Sequence, residues 1–445
     1  MTAARATAHK DLVVGIGATG LSIARYLRRG DLDAMFFDSR AEPPGIKELG
    51  EVWPDAEVLL GDVKLPTGVA RIIASPGISD RHPLLAEARK KRVEVVSDIE
   101  LFARATKVPF VAVTGSNGKS TVTTLIHLMC RADGRDSLAG GNLGEPALDL
   151  LDHPTPQLYI LELSSFQLHR TQTLPASVAV LLNVSPDHLD WHTDEAEYRK
   201  SKYRIYREAK AAVINRSDAK AAKHTRHCKR VISFGADEPA ENQFGLRTED
   251  GETFLARGDA LLISANDLAM YGVHNQLNAL AALAAGELIG LALPAMLQVL
   301  AEFPGLPHRM QFVARVGAVD YINDSKATNV AAAVASINSV DGMLVLIAGG
   351  EGKGGDFREL AKALDGKLRG TVLLGTDAEE IAAALDTVMP VLFAEDMPAA
   401  VQLAASCAAS DDTVLLAPAC ASFDQFRNYM ARGDAFCEAV RALKP

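Results

Sequence analysis

The segment Val111-Ala-Val-Thr-Gly-Ser-Asn-Gly-Lys-Ser-Thr121 leaves this chain few folds to choose from. An apolar strand, Pro109 to Val113, runs into a glycine turn, and an apolar helix then continues to about Cys130. A strand, a tight turn and a helix N-terminus aim several backbone N–H groups at one point, which suits a phosphate. The candidate cradle is Gly115, Ser116, Asn117, Gly118, Lys119, Ser120 and Thr121. In that geometry Lys119 meets the β- and γ-phosphates and the Ser120 hydroxyl faces Mg²⁺. The usual first glycine position is Val113, with a glycine at 115 instead. The bland alternative is an ordinary strand-to-helix turn with an exposed lysine.

At 445 residues the chain has room for two to four domains. The most apolar helical stretch, Leu277 to Leu297, is interrupted by Glu287, Gly290 and Pro294, so no membrane span is expected. Arg5 and Lys10 are followed by Asp11 and a glycine-rich turn, which argues against a signal peptide. A net charge of −10 gives no reason to expect nucleic-acid binding. The scattered cysteines 130, 228, 407, 420 and 437 have neither C-x-x-C nor metal-ligand spacing and read as reduced thiols of a cytosolic protein.

Alternating strand and helix patterns divide the chain into three α/β blocks with parallel sheets throughout. The first has strands at Asp11–Ile16, Ala34–Asp38, Glu57–Leu60, Arg71–Ala74 and Val93–Ser97, and ends near residue 96. The second adds strands at Leu158–Leu163, Val178–Asn183, Ala212–Asn215 and Arg230–Phe234, a polar β-rich stretch near 244–265, and a helix from Asn275 to Ile289. A proline-glycine linker, Phe303 to His308, precedes the third block, whose strands lie near 320–323, 343–348, 370–374, 390–393 and 413–417. The boundaries are 1–96, 97–305 and 306–445: a Rossmann-like N-terminal domain, a central P-loop-type ATPase domain with a mainly parallel sheet, and a Rossmann-like C-terminal domain.

A second phosphate loop, Gly15-Ile-Gly17-Ala-Thr19-Gly20, follows the first strand, with Asp38 ending the next. Its literal reading is NAD or FAD binding and hence an oxidoreductase. Hydride transfer needs no γ-phosphate, however, and a UDP-sugar also carries a pyrophosphate. A non-binding Rossmann-like turn is the third possibility. Glu162, after the strand from Leu158, stands where a Mg²⁺ ligand belongs, or serves as a helix cap. His188, in Asn183-Val-Ser-Pro-Asp-His188, sits at another strand end as a metal ligand, a donor to substrate or a structural histidine. Lys202 reads as part of a solvated basic helix face. Asn275 and Asn278 share a helix face, suited equally to capping or to holding a purine base and phosphates. Arg309 follows the linker, where a guanidinium could reach a γ-phosphate. The loops Asn323–Asn329, Gly349–Gly355 and Pro418–Asp424 end three strands of one sheet, and Thr328, Lys353 and Ser422 suit a dicarboxylate.

Taken together, several segments resemble the bacterial Mur ligases. These are Thr114 to Thr121, Gly140-Gly-Asn-Leu-Gly144, Glu162-Leu-Ser-Ser-Phe-Gln167 and Asn183 to His188, with Leu306-Pro-His-Arg309, Asn323 to Asn329 and Pro418 to Phe426. The resemblance runs in order through nearly the whole chain. It implies an ATP-dependent amide ligase that adds D-glutamate to UDP-N-acetylmuramoyl-L-alanine in cytoplasmic peptidoglycan precursor synthesis. By that resemblance the UDP precursor takes Gly17, Thr19, Gly20, Ser39, Arg40, Asn142 and Ser164. ATP takes Lys119, Asn275, Asn278, Asp324 and Lys326, with Arg309 on the γ-phosphate. One Mg²⁺ falls to Ser120 and Glu162, a second to His188, and a carbamylated lysine, itself a metal ligand, falls on Lys202. Glutamate maps onto Thr328, Lys353, Ser422, Phe423 and Tyr429. Where the family usually has an arginine after its Asp-His pair, this chain has Trp191-His192.

The implied chemistry is attack of a carboxylate oxygen on the γ-phosphate, then of the glutamate amine on the acyl phosphate. Lys119, His188, Lys202 and Arg309 are the expected catalytic groups, and no covalent enzyme intermediate is expected, since no nucleophile-with-base signature is present. A monomer that swings its third domain about Pro304 to Pro307 completes the expectation.

Overall fold

A computed structural model describes residues 10–443 apart from 63, 186, 189–190, 271, 353–355 and 386–389. Alternating apolar strands and amphipathic helices build three sheets. The first contains β1 (Lys10–Val14), β2 (Ala34–Asp38), β3 (Glu57–Leu60), β4 (Val69–Ala74) and β5 (Glu94–Val96), in the order β3-β2-β1-β4-β5. Every pairing in it is parallel, and this order is that of a Rossmann-like sheet.

The second sheet has nine strands. They are β6 (Phe110–Thr114), β7 (Ser137–Gly141), β8 (Leu158–Glu162), β9 (Val178–Leu181), β10 (Ala211–Asn215), β11 (Arg230–Phe234), β12 (Phe244–Glu249), β13 (Glu252–Arg257) and β14 (Ala260–Ser264). Their order, β14-β13-β12-β11-β10-β9-β6-β8-β7, places β6 between β8 and β9. All five residues of β6 and of β8 are buried, as both faces of a helix-covered parallel sheet require. The third sheet runs β15-β16-β20-β17-β18-β19. Its strands are β15 (Gln311–Val316), β16 (Val319–Asn323), β17 (Leu344–Gly349), β18 (Leu368–Leu374), β19 (Val391–Phe393) and β20 (Thr413–Leu416).

Two features correct the expectation of parallel sheets throughout. The strands β12, β13 and β14 form an antiparallel meander, and β15 pairs antiparallel with β16. Short turns explain both: Asp250-Gly251, at φ 52° and 82°, closes β12 onto β13, and Gly317, at φ 61°, closes β15 onto β16. Parallel partners need a long crossover, whereas two-residue turns connect antiparallel neighbours. The strands β7 and β15 and the helix Ser165–His169 were not legible as elements.

By its contacts the chain forms two compact units, Met1–Ser264 with Leu277–Val299, and Ala265–Gln276 with Leu300–Pro445. Inside the first unit, the first two sheets share one apolar core, in which Leu21, Leu27 and Phe36 join a cluster with Leu148, Phe110 and Leu161. A polar latch adds direction to that shared core. Arg170, 4% exposed, donates to Asp80 Oδ1 at 2.7 and 2.9 Å and to the carbonyls of Ser75 and Ile78. His169 Nε2 lies 3.0 Å from Asp80 Oδ2. Burial pushes the Asp80 carboxyl up, but the His169 hydrogen bond and the Arg170 charge outweigh it and hold the group below the usual carboxylate range.

In the second unit, both faces of the third sheet are covered. One carries Ile322, Leu346 and Leu415, and the other carries Tyr321, Val345 and Val414, which cluster with Phe436 of the helix Tyr429–Arg441. The cysteines are all free thiols, and among the described residues no helix is long and apolar enough to cross a membrane.

Candidate active site

The carboxyl edge of the second sheet collects the charged groups of the first unit. Thr114 ends β6 and its hydroxyl donates to Leu163 O at 2.7 Å. Gly118, at φ 83°, then turns the chain into the helix Lys119–Ala132. A Cβ there would lie 2.2 Å from Asn278 Oδ1, so only glycine meets both the backbone and the space requirement. The Gly118→Ala protein is expected to lose about 2–4 kcal/mol, from left-handed strain plus overpacking. Its melting temperature and ADP affinity would both fall in calorimetry; an unchanged melting temperature would reject this account of the turn.

Asn183, beyond β9, straps the turn: its Oδ1 accepts from Asn117 N at 2.8 Å and its Nδ2 donates to Asn117 O at 3.1 Å. Ser116 Oγ donates to Ser185 O at 3.0 Å and shares a 2.7 Å hydrogen bond with Tyr198 OH. Lys119 Nζ donates to the carbonyls of Gly115 and Ser116, each at 2.9 Å. The cradle is thus closed over its own lysine.

Lys202 reverses its solvated reading. The helix Glu195–Tyr203, capped by Asp194, buries Tyr198, Ser201 and Lys202 together. Lys202 is 2% exposed; its Nζ donates to Gly115 O at 2.8 Å and lies 4.8 Å from the Tyr198 ring centre. Burial first, and then the Lys119 charge, lower its pKa well below the ordinary lysine value, against the pull of Asp187 and Glu162. An amine so depressed gives up its proton more readily than an exposed lysine.

Glu162 ends β8, in register with Val113. Its Oε1 accepts from Asn142 Nδ2 at 2.7 Å, while its buried Oε2 has no partner among the described residues. A buried carboxylate oxygen without a partner is costly unless a cation or donor arrives. Among the described residues no three His, Cys, Asp or Glu side chains cluster as a metal cage. One carboxylate and one hydroxyl, Glu162 and Ser120, fit Mg²⁺ completed by phosphate oxygens and water. Asn142, expected on a pyrophosphate, here orients Glu162. Ser164, expected on substrate, caps the helix Ser165–His169 in a reciprocal box with Gln167.

His188 adopts φ 54°, and its half-exposed ring packs edge-on to Phe166 with centroids 4.7 Å apart. The Trp191-His192 pair joins this segment to the first sheet. Trp191 Nε1 donates to Pro76 O at 3.0 Å, Ser79 Oγ to Trp191 O at 3.2 Å, and Arg81 to His192 O at 2.6 Å. Ser75, in the same loop after β4, donates to Gly15 O at 3.2 Å. One loop therefore touches both the first sheet's glycine turn and the segment that carries His188.

At that glycine turn, Gly15 has φ 100° and a Cβ on Gly20 would meet Gly15 O at 1.9 Å. Gly17 and Thr19 open the helix Ala18–Arg29, and Ser39 and Arg40 follow β2 on the same edge. Asp38, which a dinucleotide would need for its ribose, is 1% exposed. Its oxygens accept from Ile16 N at 2.8 Å and from Arg40 Nε and Nη2 at 2.9 and 2.8 Å. The Arg40 hydrogen bond leads the causes that bring its carboxyl down to about 2. A carboxylate so engaged has little left for a ribose hydroxyl.

In the second unit, β16 leads into Asn323-Asp324-Ser325-Lys326. Asp324 accepts from Met310 N at 3.3 Å and from Ser336 Oγ, and burial pushes its carboxyl up to about 6. Lys326 Nζ lies 4.2 Å from the Tyr429 ring centre. Arg309 stands between two left-handed residues, His308 at φ 61° and Met310 at φ 45°. Such backbone costs about 1–3 kcal/mol per residue and concentrates at functional loops. Thr328 follows Lys326, Ser422 is 2% exposed, and Phe423 is 67% exposed. Lys353 lies outside the described residues. Asn275 and Asn278 are both buried near the start of the helix Val273–Ile289. The Asn183 strap and Tyr198 were missed as site residues: Asn183 was visible as a strand-end residue, while Tyr198 gave no signal.

Three family models match: "Mur ligase MurD-like, N-terminal domain" over residues 9–97, "Mur ligase middle domain" over 113–286, and "Mur ligase, glutamate ligase domain" over 308–420. The chain is 47% identical over 436 residues to the UDP-N-acetylmuramoylalanine–D-glutamate ligase of Nitrosococcus oceani, covering 97% of this chain and 96% of that one. It is 45% identical over 442 residues to the enzyme of the same name from Legionella pneumophila, covering 97% and 99%. Among solved structures, a pseudomurein peptide ligase type C from Methanothermus fervidus superposes with a TM-score of 0.61 at 19% identity, covering 98% and 100%. The UDP-N-acetylmuramate-alanine ligase MurC of Thermotoga maritima gives 0.58 at 18%, covering 97% and 99%. These structures share the fold, and nothing among the relatives supports the oxidoreductase alternative. With the phosphate turn, the buried lysine and the full-length matches in agreement, this chain belongs to the Mur ligase family.

Proposed function

We propose that the protein is an ATP-dependent ligase that joins the amine of D-glutamate to the alanyl carboxylate of UDP-N-acetylmuramoyl-L-alanine, releasing ADP and phosphate. The observation that carries this reading is the glycine turn of β6, closed over Lys119, in a chain nearly half identical end to end to D-glutamate ligases. Residues 1–96 would bind the UDP precursor through Gly17, Thr19, Gly20, Ser39 and Arg40. Residues 97–305 would bind ATP, and residues 306–445 glutamate.

A free carboxylate is a poor electrophile. Its oxygen therefore attacks the γ-phosphate, ADP leaves, and the glutamate amine then displaces phosphate from the acyl phosphate. Lys119 and Arg309 supply positive charge where the transferring phosphoryl group develops negative charge. Mg²⁺, bound through Ser120 and Glu162 with a second ion near His188, would neutralise the remaining phosphate charge. Asn142 fixes the Glu162 rotamer, and Asn183 fixes the turn that sets Lys119. We assign to Lys202 a carbamate, an anion that can bind metal where an ammonium cannot; the buried amine's lowered pKa supports this. Asn275, Asn278, Asp324 and Lys326 would hold the nucleotide, and Thr328, Lys353, Ser422, Phe423 and Tyr429 the glutamate. Cytoplasmic peptidoglycan precursor synthesis by a monomer completes the proposal.

The test is phosphate release with ATP, Mg²⁺, UDP-N-acetylmuramoyl-L-alanine and each glutamate enantiomer. Release is expected with the D-enantiomer alone. Release without glutamate, or with the L-enantiomer in preference, overturns the reading.

A further inference from the structure

Arg432 is the largest fully buried side chain among the described residues, 1% exposed, on the helix Tyr429–Arg441. Its guanidinium has five N–H donors, and each meets a neutral oxygen. Nε donates to Ser325 Oγ at 3.0 Å, and Nη2 to Ser325 O at 3.0 Å and Cys420 O at 3.1 Å. Nη1 donates to Ala421 O at 3.2 Å and Gly349 O at 3.4 Å. Ser325, Cys420 and Ala421 lie in the loops after β16 and β20, which also carry Thr328 and Ser422, and Gly349 ends β17.

The hydrogen bonding is complete, but the charge is not neutralised. No carboxylate pairs with Arg432 among the described residues. The Cys420 thiol beside it, pushed up to about 12 by burial, stays neutral near pH 7. The nearest acid to influence it, Asp424, accepts from Thr376 N at 3.0 Å instead. Burying an unpaired cation costs several kcal/mol. Neutral donors could brace three carbonyl loops without that cost. Gly350, at φ 128°, reinforces the arrangement, since a Cβ there would fall 2.1 Å from Ala421 O and 3.2 Å from Arg432 Nη1.

We propose that Arg432 is a specificity-determining positioning residue, whose unpaired charge, held against the loops that carry Thr328 and Ser422, selects an incoming amino acid with an anionic side chain. It touches no substrate atom; the field reaches the ligand through the loops the fork holds. This rests on the reading that those loops take glutamate. Aspartate-like and glutamate-like acceptors gain from that field, and their amides do not.

The experiment compares kcat/KM for D-glutamate and D-glutamine in wild type, Arg432→Lys and Arg432→Gln, with folding checked by circular dichroism. Lysine keeps the charge and is expected to hold the preference for D-glutamate within about threefold, while KM for both acceptors rises. Glutamine removes the charge and should cut the preference at least about tenfold, or 1.4 kcal/mol. A purely structural brace weakens both acceptors equally in both variants, and that outcome overturns the proposal. Should Arg432→Gln fail to fold, Arg432→Met, neutral and of similar reach, takes its place: a preference cut at least about tenfold supports the proposal, and an unchanged preference overturns it. Wild type that releases no phosphate with any glutamate would instead reject the parent reading.

Discussion

Lys119→Ala is expected to lower ATP-dependent phosphate release by at least about 10²–10³-fold, roughly 3–4 kcal/mol of transition-state stabilisation. Lys119 is the first residue of its helix, and its Nζ bridges Gly115 O and Ser116 O over the cradle. That position puts an ammonium beside the glycine turn proposed to hold the phosphates. Alanine keeps the helix but leaves the turn's carbonyls facing the phosphates without a cation. The glycine turn of the first sheet follows β1, whereas Lys119 follows β6 of the second sheet, so affinity for the UDP precursor should stay within about twofold of wild type by calorimetry, as expected for independent sites. Retained phosphate release, or loss of both properties together, would remove Lys119 from its assigned role.

Lys202→Ala has the second largest expected effect, a loss of about 10²-fold or more if a metal-binding anion is removed. Carbamylation proceeds by attack of the neutral amine on CO₂ with release of a proton. Burial and the Lys119 charge lower the pKa of that amine and so favour its neutral form. The sign follows from linkage: a lysine depressed by folding is protonated only as pH falls through its lowered folded value, and above that value it is free to react. Activity of wild type should therefore decline with acidification and rise with bicarbonate. Formate or acetate should partly rescue the alanine variant by placing a carboxylate in the vacated space. Native mass of wild type should carry a labile CO₂ adduct. Absence of both rescue and adduct would leave Lys202 a structural residue donating to Gly115 O.

Motif residues with a local geometric requirement were legible. Gly118 was readable because a helix preceded by a left-handed residue needs glycine, and Glu162 because a carboxylate after an apolar strand stands at a sheet edge. Lys202 was not legible from its own helix, which reads as Glu-Tyr-Arg-Lys-Ser-Lys with basic residues on every face. Its burial comes from packing against Gly115, 87 residues away. Asn142 and Ser164 were expected on substrate from their motifs, which did not show that their side chains also orient Glu162 and cap a helix. Short polar side chains bond whatever lies nearest, and sequence order does not say what that is. Nor did the dinucleotide reading of Asp38 show that Arg40 and Ile16 N would reach its oxygens.

Strand and helix periods, the glycine turns and the strand-end carboxylates follow from the chain itself, since each is set by steric and hydrophobic rules acting within about ten residues. Only the tertiary structure decided that Asp80, Arg170 and Trp191 bind the first sheet to the second, that Lys202 loses its water, and that Arg432 sits charged and unpaired under three loops. These are long-range electrostatic and desolvation effects. They depend on which surfaces the fold brings together, and no local pattern of residues carries that information.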